Sequence, residues 1–184
     1  ISTELSNINN NYKQNKMKKL ILITVLLMSV LSYGQITMNV SQDARLLFLG
    51  DDKGNDAGTM DITIRSEWHY WSNDYVSYFV APEYEYAELT TPYRRYSVNF
   101  GATYKLPIDK LEGTISIGHG IIDHYKGYMG FGGNLQLSYE VLDGFKLFLD
   151  AEIVDRKDLT IWGETTLADR IVISGKFGVK YKLN

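Results

Sequence analysis

The chain contains no cysteine, only three prolines and only three histidines among 184 residues. Without thiols there is neither a disulfide framework nor a thiolate metal site, even if the chain is exported. A long apolar run is also missing. The best stretch, residues 20–31, falls short of the roughly 20 residues that a membrane-spanning helix needs. Basic excess is absent too: 19 Lys and Arg face 22 Asp and Glu, a formal net charge of −3. From residue 35 onward the balance is 15 to 21, close to −6, which excludes nucleic acid as a partner. No stretch beyond residue 34 carries a helical period. What the chain has instead is 14 tyrosines, three tryptophans and 16 glycines, a composition suited to strands and turns.

The first 34 residues divide in two. Residues 1–16 are Asn-rich and without pattern, and are read as an upstream or disordered extension. Met17, Lys18 and Lys19 then make a basic start, followed by the apolar run and by Ser32, Tyr33, Gly34 and Gln35. This is the form of a secretory signal peptide over 17–34, cut after Gly34. No cysteine follows the cut, so a lipoprotein anchor is excluded. Residues 35–184 then make one domain.

Period-two patterning runs through that domain and predicts eight strands. The first covers about 36–49, with Ile36, Met38, Val40, Ala44, Leu46 and Phe48 on one face. The second, about 59–71, sets Met60, Ile62, Ile64, Trp68 and Tyr70 against Asp61, Thr63, Arg65, Glu67 and His69. In the third, about 75–88, Val76, Tyr78, Val80, Tyr84 and Tyr86 oppose Ser77, Ala81, Glu83 and Glu85. The fourth, 94–106, sets Tyr96, Val98, Phe100 and Tyr104 against Arg95, Ser97, Asn99, Thr103 and Lys105. The fifth, sixth and seventh cover about 113–122, 128–141 and 145–155. The eighth is the closing stretch from Arg170, where Ile171, Ile173, Phe177, Val179, Tyr181 and Leu183 alternate with Lys176, Lys180 and Lys182. Residues 72–74, 107–112 and 142–144 read as short turns, and 50–58 and 156–169 as long polar loops.

Alternation alone fits two opposite proteins. In a soluble secreted barrel of lipocalin type the apolar face is the core. In a transmembrane barrel it meets lipid and the polar face lines the interior. Strands of about 10–14 residues exceed the soluble mode of about 5–6 and suit a tilted bilayer crossing. The aromatics sort to two rims: Trp68, Tyr70, Tyr78, Tyr104, Tyr139 and Tyr181 near the short turns, and Tyr84, Tyr86 and Tyr96 toward the long loops. Such girdles mark the two bilayer interfaces. The polar face carries Arg65, Glu67, Glu83, Glu85, Arg95, Lys105, Asp150, Glu152, Lys176 and Lys180, mixed in sign, and inside a narrow barrel these must pair. The expected fold is therefore all-β, an eight-stranded antiparallel up-and-down transmembrane barrel with both termini on the periplasmic side of an outer membrane. Pro82 interrupts the third strand, so a bulge or a position above the bilayer is expected there.

With its "MKKL…SYGQ" leader, eight alternating strands and "KFGVKYKLN" ending, the chain resembles the small outer-membrane barrels of the OmpA/OmpX type. Among them it is most similar to the outer membrane β-barrel proteins of Bacteroidota. The resemblance covers the domain from residue 35 and is architectural. It implies that the last strand is read by the barrel-assembly machinery, although Leu183 and Asn184 follow Tyr181 where many relatives end on an aromatic.

No catalytic, cofactor or metal residue is assigned. A rim enzyme needs a nucleophile or water beside a His and a carboxylate. His119 is expected to face lipid, with Ile121 where a lipid-deacylating barrel would carry Ser. His69 is expected at the interface, and His124 in a loop beside Asp123 as a weak metal or proton site. The loop "GDDKGNDAG" (50–58) lacks the spacing of a Ca²⁺ site. Gly118, Gly120, Gly130 and Gly132 all point inward, which leaves open a small pocket on the extracellular side. Eight strands leave no aqueous channel. The expected function is structural or adhesive, or that of a small subunit of an envelope complex, with outer-membrane lipid around the barrel and a protein partner at loops 50–58 and 156–169. A rim enzyme, a lipid-binding barrel and the soluble barrel are the alternatives.

Overall fold

The computed structural model describes residues 35–51, 54–89, 91–162, 166 and 170–183, with 161 and 162 as backbone only. The expected extension at 1–16 and the expected signal peptide at 17–34 lie outside the described residues, as do parts of both long loops.

Eight strands follow one another around a closed antiparallel barrel in chain order. They are β1 (Gln35–Asp43), β2 (Asp61–Ser72), β3 (Val76–Ala87), β4 (Tyr93–Lys105), β5 (Leu111–His124), β6 (Lys126–Leu142), β7 (Phe145–Asp155) and β8 (Ile171–Lys182). Closure is made by β1 on β8, in register from Thr37↔Lys182 to Asp43↔Lys176. One end carries the short turns together with Gln35 and Leu183; the other carries the longer connections. These are the turn end and the loop end.

The barrel is inverted relative to a soluble one. Its interior is polar: Thr37, Asn39, Ser41, Thr63, Ser97, Asn99, Ser116, Asn134, Gln136 and Ser138 are all buried. Its outside is apolar: Ile117 is 71% exposed, Leu149 66% and Phe100 60%. Removing each such side chain from water is worth about 1.5–3 kcal/mol. Strands bearing rows of them would forfeit more than the roughly 5–15 kcal/mol net stability of a domain if they faced water. Lipid is the surrounding this surface fits, and closure pairs the strand edges whose backbone groups lipid could not satisfy. Both aromatic rims lie outward. Tyr70, Tyr78, Tyr104, Tyr139 and Tyr181 are exposed toward the turn end and Tyr96 toward the loop end, while Trp68, Tyr84 and Tyr86 are partly covered. Trp71 packs on Tyr78 with ring centroids 5.4 Å apart, and Tyr84 on Tyr96 at 5.1 Å.

The interior also holds large apolar side chains, each set against a glycine. Phe79 is wholly buried and lies directly opposite Gly101, where a Cβ would come within 2.4 Å of its ring. Phe148 stands opposite Gly178 in the same way, with 2.7 Å to a Cβ. Ile122, also wholly buried, leans over Gly130. Gly118 lies against the side chain of Asn99, and Gly132 sits 3.3 Å from the Arg95 guanidinium, both measured from a would-be Cβ at or within that distance. The space above Gly118, Gly120, Gly130 and Gly132 is therefore occupied by neighbours, and the pocket is not there.

Several local expectations need correction. The first strand ends at Asp43 rather than near residue 49. Asp43 then caps a short helix, α1 (Ala44–Phe48), by accepting the Leu46 N–H at 2.9 Å, as Asp does at helix starts. The connection near residue 125 is much tighter than its sequence suggests. β5 and β6 stay paired to His124↔Lys126, with Tyr125 alone between them at φ 64°. No bulge forms at Pro82. The β2–β3 ladder is interrupted between Arg65↔Glu83 and Trp68↔Val80 and resumes in unchanged register. Pro82 still pairs with Val98 on the β4 side, so its missing N–H costs bonding only toward β2. The register shifts lie lower, at His69/Trp71 and Glu140/Leu142.

If the outward face meets hydrocarbon, the cost of a charge there must depend on depth. Leu149→Arg, in the middle of β7, is expected to cost about 2–4 kcal/mol, and Tyr181→Arg near the turn end about 0–1 kcal/mol. Urea titration of the barrel folded into lipid vesicles measures both.

Candidate functional site

Inward parity places the charged residues of β2, β3, β4, β7 and β8 at similar height in a narrow bore, and they form one lattice. Arg65 Nε donates to Glu83 Oε2 at 2.6 Å. Arg95 donates to Glu83 at 3.0 Å, lies 2.8 Å from Glu85 and reaches across to Glu152 on β7. Lys176 on β8 donates to Thr63 at 2.7 Å, pairs with Glu152 at 2.7 Å and with Glu85. Asp150 accepts from Asn134 Nδ2 at 3.0 Å and lies 3.8 Å from Arg65. Because β3 and β4 face β7 and β8 across the barrel, these bonds span the bore and fill it.

A second group sits nearer the turn end. Lys180 pairs with Glu67 at 2.7 Å, and Asn39 donates to the other Glu67 oxygen at 2.6 Å. His69 is inside the barrel and not at the lipid interface. Its Nδ1 lies 2.8 Å from the Ser77 hydroxyl, its Nε2 3.4 Å from Glu67, and its ring packs on Phe79. Lys105 does not join the lattice. It is exposed where β4 ends and lines the turn-end mouth with Glu112, Glu140, Lys146 and Lys182. Strand parity gives its side correctly, but at a strand terminus the inward side is already water.

The loop end is different in character. Above the lattice lies a cavity of about 330 Å³ open to that end. Leu46, Ala87, Leu89, Val154, Leu159 and Val172 supply apolar wall, and Asp43, Asp61 and Glu85 acidic floor. Gln42 ties the rim of the floor together, accepting the Asp61 N–H at 3.1 Å and donating to the Thr59 carbonyl at 3.3 Å. A two-turn 3₁₀ segment, Lys157–Trp162, closes part of the mouth and buries Leu159.

That segment is fixed by one buried carboxylate. Asp158 accepts both Arg156 Nε at 2.9 Å and Arg156 Nη2 at 2.7 Å. It also lies 2.8 Å from His124 Nδ1. An ionised carboxylate only accepts, so this His124 nitrogen carries the hydrogen. The Arg156 guanidinium stacks 4.0 Å over the Tyr93 ring, a cation–π contact. Burial raises the Asp158 carboxyl, but the Arg156 and His124 hydrogen bonds and charges outweigh it and hold the group below its ordinary range. His119, by contrast, faces outward beside Phe131 at 5.7 Å. Asp158 and Arg156 lie in a segment without period, and Asp43 and Asp61 at the loop-end termini of β1 and β2, so sequence spacing did not mark them as a site. Among the described residues, no group of three or more His, Asp or Glu side chains is placed to hold a metal ion.

No family model matches the chain, and no curated protein does. Solved structures do share its architecture. Ail of Yersinia pestis in a phospholipid bilayer nanodisc is 12% identical, over 82% of this chain and 99% of that one, with a TM-score of 0.52. The outer membrane enzyme PagL is 12% identical over 80% and 98%, at 0.51. A barrel from the de novo design of transmembrane β-barrels is 12% identical over 82% and 96%, at 0.50. The fold is that of the small outer-membrane barrels.

Three substitutions probe the site. Arg95→Met leaves Glu83, Glu85 and Glu152 short of a partner in the bore and is expected to cost about 3–5 kcal/mol, read as a lower urea midpoint. Adding Glu152→Gln to it recovers part of the loss, because the pair is coupled. Asp158→Asn is expected to release residues 157–162, seen as faster amide hydrogen exchange there. Since the folded-state Asp158 is more acidic than in the unfolded chain, its contribution is present above the ordinary carboxylate range and lost only as pH falls below it.

Proposed function

We propose that this chain is an integral outer-membrane barrel without an open pore and without catalytic activity, exported by the signal peptide at 17–34. It serves as a structural or adhesive element, or as a small subunit of an envelope complex. The observation that carries this is the charge lattice of Arg65, Glu83, Glu85, Arg95, Glu152 and Lys176, which crosses the bore at mid-height. An eight-stranded interior is narrow enough to be filled by side chains, and this one is filled by ion pairs that ions would have to break. The outside offers lipid contact, and loops 50–58 and 156–169 stand at the free end for a protein partner. The barrel-assembly machinery is the expected partner of β8 during insertion. Ail of Yersinia pestis has the same fold.

A second reading rests on His124. Its Nδ1–H is held by Asp158 and the residue lines the cavity, the arrangement that makes a histidine a general base. PagL, an outer membrane enzyme, shares the fold. The Thr91 hydroxyl, also in the cavity wall, is engaged with Tyr125, and Ser174 lines the same cavity.

The experiment is reconstitution of the purified barrel. The band is expected to shift in SDS gels on boiling, planar bilayers to show no steady conductance, and incubated lipids to keep their masses. Steady channels in the wild type overturn the closed-bore reading. Lipid or peptide turnover that disappears in His124→Ala establishes the enzyme.

A further inference from the structure

The lattice accounts for most interior charge, but not for Asp61. This residue opens β2 at the floor of the loop-end cavity and is only 7% exposed. Its Oδ1 is buried with no hydrogen-bond partner. Leaving a buried carboxylate oxygen unpaired is costly, so the position calls for a proton or a cation. Its neighbours do not supply one. The charged groups that act on it most are Glu85, Lys176, Asp43 and Glu152, three acids and one base; the exposed Arg45 also lines the cavity. Lys176 is already engaged by Glu85, Glu152 and Thr63. Arg95 is held by Glu83, Glu85 and Glu152, and Arg156 by Asp158. Asp43 is different again, because its Oδ1 caps α1.

The volume over Asp61 has a definite chemistry. It lies within the range of small-molecule sites, about 300–1,000 Å³, and its upper wall is aliphatic. The carboxylates are not arranged for a metal. A cation that fits must therefore carry its own apolar body. We infer that the loop-end cavity binds a small organic ammonium compound, its charged nitrogen on Asp61 and its apolar body against Leu46, Ala87, Leu89, Val154 and Leu159. The site faces the free end of the barrel, above the lattice that closes the bore, so such a ligand enters and leaves from one side. Neither the closed-bore reading nor the contact role is needed for it.

The probe is 2-phenylethylammonium, titrated calorimetrically into the full barrel in nanodiscs. 2-Phenylethanol and 3-phenylpropanoate serve as neutral and anionic analogues of similar shape. Saturable binding of the ammonium is expected, with tenfold or more preference over both analogues. Asp61→Asn keeps the shape, removes the charge, and is expected to weaken the ammonium at least tenfold while the heat-dependent gel shift persists. If that variant does not fold, Ala87→Trp fills the cavity from the β3 position paired with Asp61 and is expected to abolish binding. Glu112→Gln at the turn-end mouth is expected to leave it unchanged. The assignment is overturned if the wild type shows no saturable binding or if the alcohol binds as well as the amine. It is equally overturned if the folded Asp61→Asn or Ala87→Trp barrel binds as the wild type does, which would mean that Asp61 is simply protonated. Binding of an oligolysine peptide without binding of the amine also overturns it.

Discussion

Closure of the sheet is the constraint on which everything else depends. Lipid offers no hydrogen bonds, so a sheet that spans it must have no edge. In this chain the seam is β1 on β8, where the apolar side of β8 continues the outward face around the circle. Closing eight strands fixes a bore about as wide as the side chains that fill it. Inward positions are thereby obliged to be polar enough to differ from the outside and complementary enough to pack. The lattice follows from that: carboxylates on β3 and β7 and cations on β2, β4 and β8 meet because the bore is narrow enough for them to reach one another. Where bulk is needed instead of charge, Phe79 and Phe148 each stand opposite a glycine.

Much of this is legible from parity alone, since the side-chain period of a strand is two and a register error would turn every residue to the wrong face. Arg65, Glu67, Glu83, Glu85, Arg95, Asp150, Glu152, Lys176 and Lys180 lie buried on the inward side. Parity does not report depth. Lys105 has the inward side but stands at the end of its strand, and His69 looks interfacial from its aromatic neighbours although its own parity is inward. Nor does alternation mark Phe79, Phe148 or Ile122 as interior, because their partner glycines lie on other strands. Four inward glycines on β5 and β6 suggest a void, yet Asn99, Ile122 and Arg95 lean into it from neighbouring strands. A chain-local reading has no access to such cross-strand compensation.

The loop end was the least legible part because its structure comes from caps and buried pairs and not from period. The first strand's alternation continues through residue 48, but Asp43 offers its carboxylate to the following backbone and the chain turns into α1 instead. Residues 157–162 carry no alternation, and their position is set by Asp158 joining Arg156 to His124. Both devices use an acidic side chain to hold a segment over the barrel mouth, and both place leucines, Leu46 and Leu159, into the cavity wall.

The two ends consequently differ in what they can do. At the turn end the mouth is lined by charges of both signs in contact with one another, such as Lys146 with Glu112 at 2.6 Å, and such a surface has little left to offer a ligand. At the loop end the apolar wall lies over an acidic floor whose nearest cation, Lys176, is already held by the lattice, while Arg156 is held by Asp158 and the exposed Arg45 stands in the cavity wall. A bore filled by ion pairs is thus more than a plug. By drawing Lys176 and Arg95 down to Glu85 and Glu152, it leaves the floor above it negative, and that asymmetry gives the free end of the barrel its selectivity for positive charge.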